Sequence, residues 1–230
     1  MKIAAVKAVP YVAWSSPHPL SFRPRPRTAF LLCLGLVIFG TGEALLIRAG
    51  LGVSPWTVLA QGVAVNSALG IGAATFLVSV LVLLLWIPMR QIPGLGTLAN
   101  AVLIAAAIEI TLPWLPALDG VILRLLQTVA GILLVGLGSG IYLVAHLGAG
   151  PRDGLMTGLQ RLSGLPIAWV RTAIEVTVVV IGWLLGGTVG IGTLMFALLI
   201  GPAVALGLGL VESLSQPAAN DARLPYGPSD

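Results

Sequence analysis

Charge is scarce in this sequence. Only 9% of its 230 residues are Asp, Glu, Lys or Arg, whereas a soluble globular domain carries about 25%, so a water-facing surface cannot be assembled from it. Cysteine is confined to Cys33, inside an apolar run, which excludes a disulfide framework and a thiolate cluster. Histidine is confined to His18 and His146, too little for a histidine metal centre, and no cofactor is expected. Basic residues are spread along the chain rather than gathered with aromatics on one face, which speaks against nucleic acid as a partner despite the net charge of +4. There is no Walker loop and no His-Glu-x-x-His, so enzymatic chemistry has no candidate residues.

What is present is apolar surface. With 57% hydrophobic residues and a mean hydropathy of +1.04, the expected surroundings are a lipid bilayer. Apolar runs predict six crossing helices, over 28–49, 73–89, 97–112, 121–147, 167–185 and 193–211. Two further helices, from Pro55 to about Ala68 and from Pro151 to about Leu162, are too short to cross and are expected to be re-entrant or interfacial. Each has proline at its first position, and Ser54 stands where a cap for the first would be. Residues 1–27, with five prolines and five basic residues, read as a disordered cytoplasmic arm, and 213–230 as a disordered cytoplasmic tail.

Both short helices follow a glycine-hinged stretch. Gly148-Ala-Gly-Pro-Arg-Asp-Gly-Leu-Met-Thr-Gly158 is echoed about 96 to 98 positions earlier by Gly50-Leu-Gly-Val-Ser-Pro-Trp-Thr-Val-Leu-Ala-Gln-Gly62. Gly40-Thr-Gly42 likewise answers Gly138-Ser-Gly140, and Gly94-Leu-Gly-Thr-Leu98 answers Gly190-Ile-Gly-Thr-Leu194. Two repeats, 28–112 and 113–212, follow. Three crossings per repeat is an odd number, so the second copy must lie upside down relative to the first, and short helices of inverted repeats frequently meet at a substrate site. With the amino terminus in the cytoplasm, that side collects ten basic residues and the other only Arg48 and Arg124, as the positive-inside rule requires. Both termini are therefore expected in the cytoplasm, at the inner membrane.

Leu147-Gly-Ala-Gly-Pro-Arg-Asp-Gly-Leu-Met-Thr-Gly-Leu159, Val170-Arg-Thr-Ala-Ile-Glu175, Gly190-Ile-Gly-Thr193 and Ile200-Gly-Pro202 resemble the YczE/YyaS/YitT family of bacterial integral membrane proteins, closest to its YczE-like branch. The resemblance covers about residues 30 to 212 and implies a bacterial inner-membrane protein. The family's first-half pattern usually reads Gly-Pro-Trp-Asp. Here Val53-Ser54 is inserted and Thr57 stands where an acid is expected.

The few polar residues within the apolar runs are the candidates for function. Glu43 lies deep in the first run, where a carboxylate costs about 2.5 to 3.5 kcal/mol on insertion scales and faces a cavity or a partner; the alternative is a polar-paired packing residue. Arg152 and Asp153 open the second short helix, where Asp153 offsets the helix dipole and Arg152 with Arg161 could attract an anion. Trp56, Thr57 and Gln61 are their counterparts in the first, offering stacking and hydrogen bonds, with interfacial anchoring the other reading of Trp56. Arg171 and Glu175, four apart, are expected to pair, chiefly to hold the fifth crossing helix and alternatively as a relay. Glu109 is expected at the outer interface beside Arg48 or Arg124. Gly136-x-Gly-x-Gly140 sits within a crossing helix and predicts close packing rather than a nucleotide loop. The resulting expectation is an all-α secondary transporter or exporter of a small amphipathic or anionic molecule, with self-association into a homo-oligomer; the alternative is a non-transporting accessory or regulatory membrane protein.

Overall fold

The computed structural model describes residues 9–215, and every regular element among them is helical. In order these are α1 (Pro26–Ala49), α2 (Pro55–Val65), α3 (Ile71–Trp86), α4 (Leu95–Thr111), α5 (Val121–Val144), α6 (Pro151–Ser163), α7 (Ile167–Leu184) and α8 (Ile191–Leu214). A single 3-10 turn, Leu112–Trp114, extends α4. Among the described residues five helices are long and apolar enough to cross a membrane: α1, α4 with its extension, α5, α7 and α8. The 16 residues of α3 reach about 24 Å at 1.5 Å per residue, short of a hydrocarbon core of about 30 Å. The short helices fall where the prolines place them, with Pro55 and Pro151 each at the first turn.

At the centre α1 packs along α5, with α4 against the flank of α1 and α8 against that of α5. Glycine sets these distances. On α5, Gly138 lies against the backbone of Gly35 and Phe39, while Gly136 and Gly140 lie against Ala203 and Gly207 of α8, leaving no room for a Cβ. The Gly136-x-Gly-x-Gly140 run is thus a two-sided packing face. Around this centre α2 packs on α3 and α7, and α6 on α3 and α7. Large apolar side chains such as Phe30, Leu81, Trp169, Leu184 and Leu198 point outward, a surface that suits lipid and not water.

The loops entering the short helices are each fastened to the start of a long helix. Gly96 N–H donates to the Leu147 carbonyl at 2.7 Å, and Gly192 N–H donates to the Leu51 carbonyl at 2.7 Å. The next residues, Gly52 and Gly148, have φ of 106° and 110°, a region that side chains other than glycine's avoid. The short helices are also pinned from the side. Thr188 N–H donates to Gln61 Oε1 at 3.0 Å and Asn66 Nδ2 to the Leu185 carbonyl at 2.6 Å, tying α2 to the turn after α7. Trp86 Nε1 donates to the Pro151 carbonyl at 3.0 Å and Gln91 Nε2 to the Gly154 carbonyl at 2.9 Å, tying α6 to the end of α3 and the turn after it.

Three expectations need correction. The described part of the amino-terminal arm is ordered: it forms a strap across the end of the bundle where α1 begins and α5 and α8 end. Val12 and Trp14 are buried in the core cluster with Val144, Leu147 and Val211. Ser15 Oγ donates to the Val144 carbonyl at 2.7 Å, Ser16 N–H to that of Ala145 at 3.0 Å, and Thr28 Oγ1 to that of Trp14. Proline excluded helix here but not order, because two apolar side chains and unsatisfied helix-end carbonyls supply partners. The carboxy-terminal tail begins later than expected, since α8 continues through Leu214 and Ser215 Oγ accepts from Trp14 Nε1 at 3.0 Å; residues 1–8 and 216–230 lie outside the described residues. Glu109 does not join an arginine. Its Oε2 accepts from the N–H groups of Gly72 at 2.8 Å and Ala73 at 3.3 Å, capping α3, and Arg124 instead donates to the carbonyls of Ala49 and Gly50 at the end of α1.

Candidate functional site

The first half of the site is a carboxylate held by two hydroxyls. Glu43, on α1, is fully buried. Thr57 Oγ1 donates to its Oε2 at 2.8 Å, and Ser54 Oγ lies 2.9 Å from both carboxylate oxygens and 3.0 Å from Thr57 Oγ1. A serine has one proton to give, and the carboxylate is its acceptor here. Ser54 holds the capping position of α2 but gives no side-chain bond to its amides, because the neighbouring carboxyl takes the hydroxyl. The expected cap is a ligand of Glu43 instead.

The second half comes from α5 and α6. Tyr142 Oη donates to Asp153 Oδ2 at 3.0 Å, and the Tyr142 ring packs edge-on against Phe39. Asp153 stands in the first turn of α6, where the helix dipole favours a negative charge. Asp153 itself is exposed. The two halves meet at Arg152. Its guanidinium lies over the Trp56 ring, 5.4 Å from the centroid, and its charge acts on Glu43, Asp153 and Tyr142. Trp56 is itself buried among Val78, Val82, Leu155 and Val178, and its Nε1 has no hydrogen-bond partner among the described residues.

Beyond Asp153 the charge continues onto α7. Arg171 acts on Asp153 and pairs with Glu175 at 2.9 Å, as their spacing predicts, with the arginine about half exposed. Direct contacts join Glu43 to Thr57, Arg152 to Trp56, Asp153 to Tyr142 and Arg171 to Glu175, and these groups lie within reach of one another's charge. Gln61 is not among them: its side-chain oxygen is spent on Thr188 N–H. Two members, Ser54 and Tyr142, were missed in the sequence. Ser54 stands at a capping position, which hides its tie to a carboxyl, and the repeat gives only an offset signal for Tyr142: it sets Glu43, the residue after Gly42, against Ile141, the residue after Gly140, one position before Tyr142.

The arrangement can hold a cation between carboxyls on an aromatic face, and it can carry a proton on Glu43 or Asp153. The chain is similar to an uncharacterized protein of Haemophilus influenzae, 40% identical over 209 residues that cover 91% of this chain and 95% of that protein. It is similar to the uncharacterized membrane protein YczE of Bacillus subtilis, 34% identical over 169 residues, 73% of this chain and 79% of that one. It is similar, too, to the uncharacterized protein YyaS of Bacillus subtilis, 30% identical over 186 residues, 78% and 91% of the two chains. No solved structure matches. The model of DUF6198, a family of unknown function, matches residues 26–207, which span every helix that builds the polar centre, and the chain belongs to that family of YczE-like membrane proteins.

Proposed function

We propose that the chain is a secondary transporter or exporter of a small amphipathic molecule, working by the rocking of two inverted repeats about the paired short helices. The observation that carries this reading is the polar centre, fully buried at Glu43 and Thr57 and exposed at Asp153 and Arg171, to which α1 and α2 of one half and α5, α6 and α7 of the other each contribute. A fully buried carboxylate in a membrane helix is costly unless it serves a cavity or a relay. The inverted arrangement is supported by the reciprocal fastening of the loops: the bond from Gly96 N–H to the Leu147 carbonyl reappears from Gly192 N–H to the Leu51 carbonyl with the same groups and the same 2.7 Å. The packing of α4 on α1 against that of α8 on α5, and of α2 on α7 against that of α6 on α3, repeats in the same sense.

In this reading α3 is the sixth crossing helix, completed by the turn up to Arg90, and both termini face the cytoplasm. The basic residues supply the support for the sidedness, since Arg90, Arg152, Arg161 and Arg171 then join the arm on one side. Glu43 is the proton-coupling acid. The expected anionic cargo is the weakest part: an anion arriving at Arg152 would have to displace the carboxyls whose charges already act on it.

The test is flux in proteoliposomes, wild type beside Glu43→Gln and Asp153→Asn, with a pH-sensitive dye inside. Proton-linked flux that disappears in Glu43→Gln supports the reading; well-folded protein that moves no solute under any gradient ends it. The second reading, an accessory protein that transports nothing, is favoured by one observation: Glu43 already has both of its hydroxyl partners, as a static polar pin would. A stable partner recovered from native membranes, with function surviving Glu43→Gln, would select it.

A further inference from the structure

Arg152 sits as a bound ligand would sit. Its guanidinium has an indole face on one side, Trp56 at 5.4 Å, and carboxyls from two different helices within reach of its charge, Glu43 on α1 and Asp153 on α6. No ion pair within 4 Å fixes it to either among the described residues, where the one salt bridge is Arg171 to Glu175. A cation over an indole and between carboxyls is how proteins hold alkylammonium and guanidinium groups. The side chain is only partly buried, it is carried by a short helix entered through Gly148, and the Trp56 ring beneath it is fixed in an apolar cluster.

The charges favour a ligand of one sign. Arg171 pairs with Glu175 and also acts on Asp153, so two guanidiniums, Arg152 and Arg171, stand among three carboxyls, Glu43, Asp153 and Glu175. An entering cation therefore finds a carboxyl to spare, while an entering anion finds no unshared positive group. Trp56 Nε1, buried and without a partner among the described residues, lies on the ring that Arg152 covers. A ligand that also bears an oxygen acceptor could satisfy it, where Arg152, all donors, cannot.

We propose that Trp56, Glu43 and Asp153 form a binding site for a small organic cation, a guanidinium or alkylammonium group, and that Arg152 fills this site with its own side chain until such a ligand displaces it. Glu43 with Thr57 supplies from the first half the carboxyl that Asp153 with Tyr142 supplies from the second: Asp153 takes the repeat position of Thr57, and Tyr142 lies one residue past that of Glu43. The proposal deepens the transporter reading and rests on it for the route by which the ligand arrives and leaves. A tethered arginine competes at an effective concentration in the millimolar range, so binding from solution is weak while Arg152 is present and strengthens on its removal.

The experiment is thermal unfolding in lipid nanodiscs of wild type, Arg152→Ala and Arg152→Ala/Glu43→Gln. Each is titrated at constant ionic strength with guanidinium chloride below denaturing concentrations, with tetramethylammonium chloride, and with sodium acetate. Guanidinium is expected to raise the midpoint of Arg152→Ala, with binding about tenfold tighter than to wild type. The rise should be lost in the double variant, and acetate should have no effect. Stabilisation by acetate, or by neither ion, overturns the proposal. Should Arg152→Ala not fold, wild type in proteoliposomes decides through opposed gradients of methylguanidinium and acetate. Cation movement alone supports the site. Acetate movement alone overturns it and leaves the transporter reading standing, whereas cation stabilisation in nanodiscs with no flux keeps the site and ends that reading. Neither binding nor flux sinks both.

Discussion

Glu43, Ser54 and Thr57 occupy a volume with no water-facing side, so each hydrogen bond there counts more for what its loss leaves behind than for what it adds. Glu43→Ala would leave Ser54 and Thr57 only each other to bond, stranding one buried hydroxyl proton at about 1–3 kcal/mol, and open a cavity besides. Glu43→Gln keeps the volume and an acceptor. The alanine variant should therefore unfold in mild detergent at a clearly lower temperature than the glutamine variant, measured by thermal scanning of the two side by side. Thr57→Ser should be nearly silent in that scan and Thr57→Val should not, because the latter keeps the shape and removes the donor. Thr57→Asp puts an acid at the repeat position that Asp153 takes in the second half. Placed beside Glu43 it should destabilise, since two carboxyls would then crowd one site, and in Glu43→Ser/Thr57→Asp much of that loss should return.

The elements whose existence depends on hydropathy and proline were legible in the sequence, and those that depend on distant partners were not. Pro55 and Pro151 marked α2 and α6 without ambiguity because proline is at home in a first helical turn and almost nowhere else in a helix. Glycine at 136, 138 and 140 foretold close packing because three bare positions at alternate residues leave both sides of one helical turn open to a neighbour. The strap over residues 9–21 went unrecognised. Its partners are carbonyls at the end of α5 and a hydroxyl after α8, and no local pattern announces them. The polar centre was half legible: the intramembrane acids stood out by their cost, whereas Tyr142 and Ser54 looked like ordinary polar residues until folding brought them to a carboxyl. Two element-level outcomes follow. Gly140→Leu should separate α5 from α8, where Gly207 faces it, at about 1–3 kcal/mol or more for overpacking, seen as a lowered melting temperature. Trp14→Ala should leave the polar centre intact but speed hydrogen exchange at Ala145 and His146, the amides beneath the strap.

At the scale of the whole molecule, the strap places the described beginning and end of the chain side by side, since Trp14 touches Ser215. That adjacency makes sidedness testable. In a Cys33→Ser background, single cysteines at Ser163 and Ser215 should react with an impermeant maleimide from one side of the membrane, and one at Asp119 only from the other. The same contact joins residues 201 positions apart, and this has a consequence for biogenesis. Residue 14 leaves the ribosome 201 residues before residue 215, so Trp14 must wait without its Ser215 partner until α8 has been inserted. A chain that stalls before α8 keeps that indole without its partner at one mouth of the translocon, and one that has passed this point engages it. The strap thereby marks the arrival of α8, and quality-control proteases that seek exposed apolar segments have in it a means of telling a bundle that holds α8 from one that lacks it.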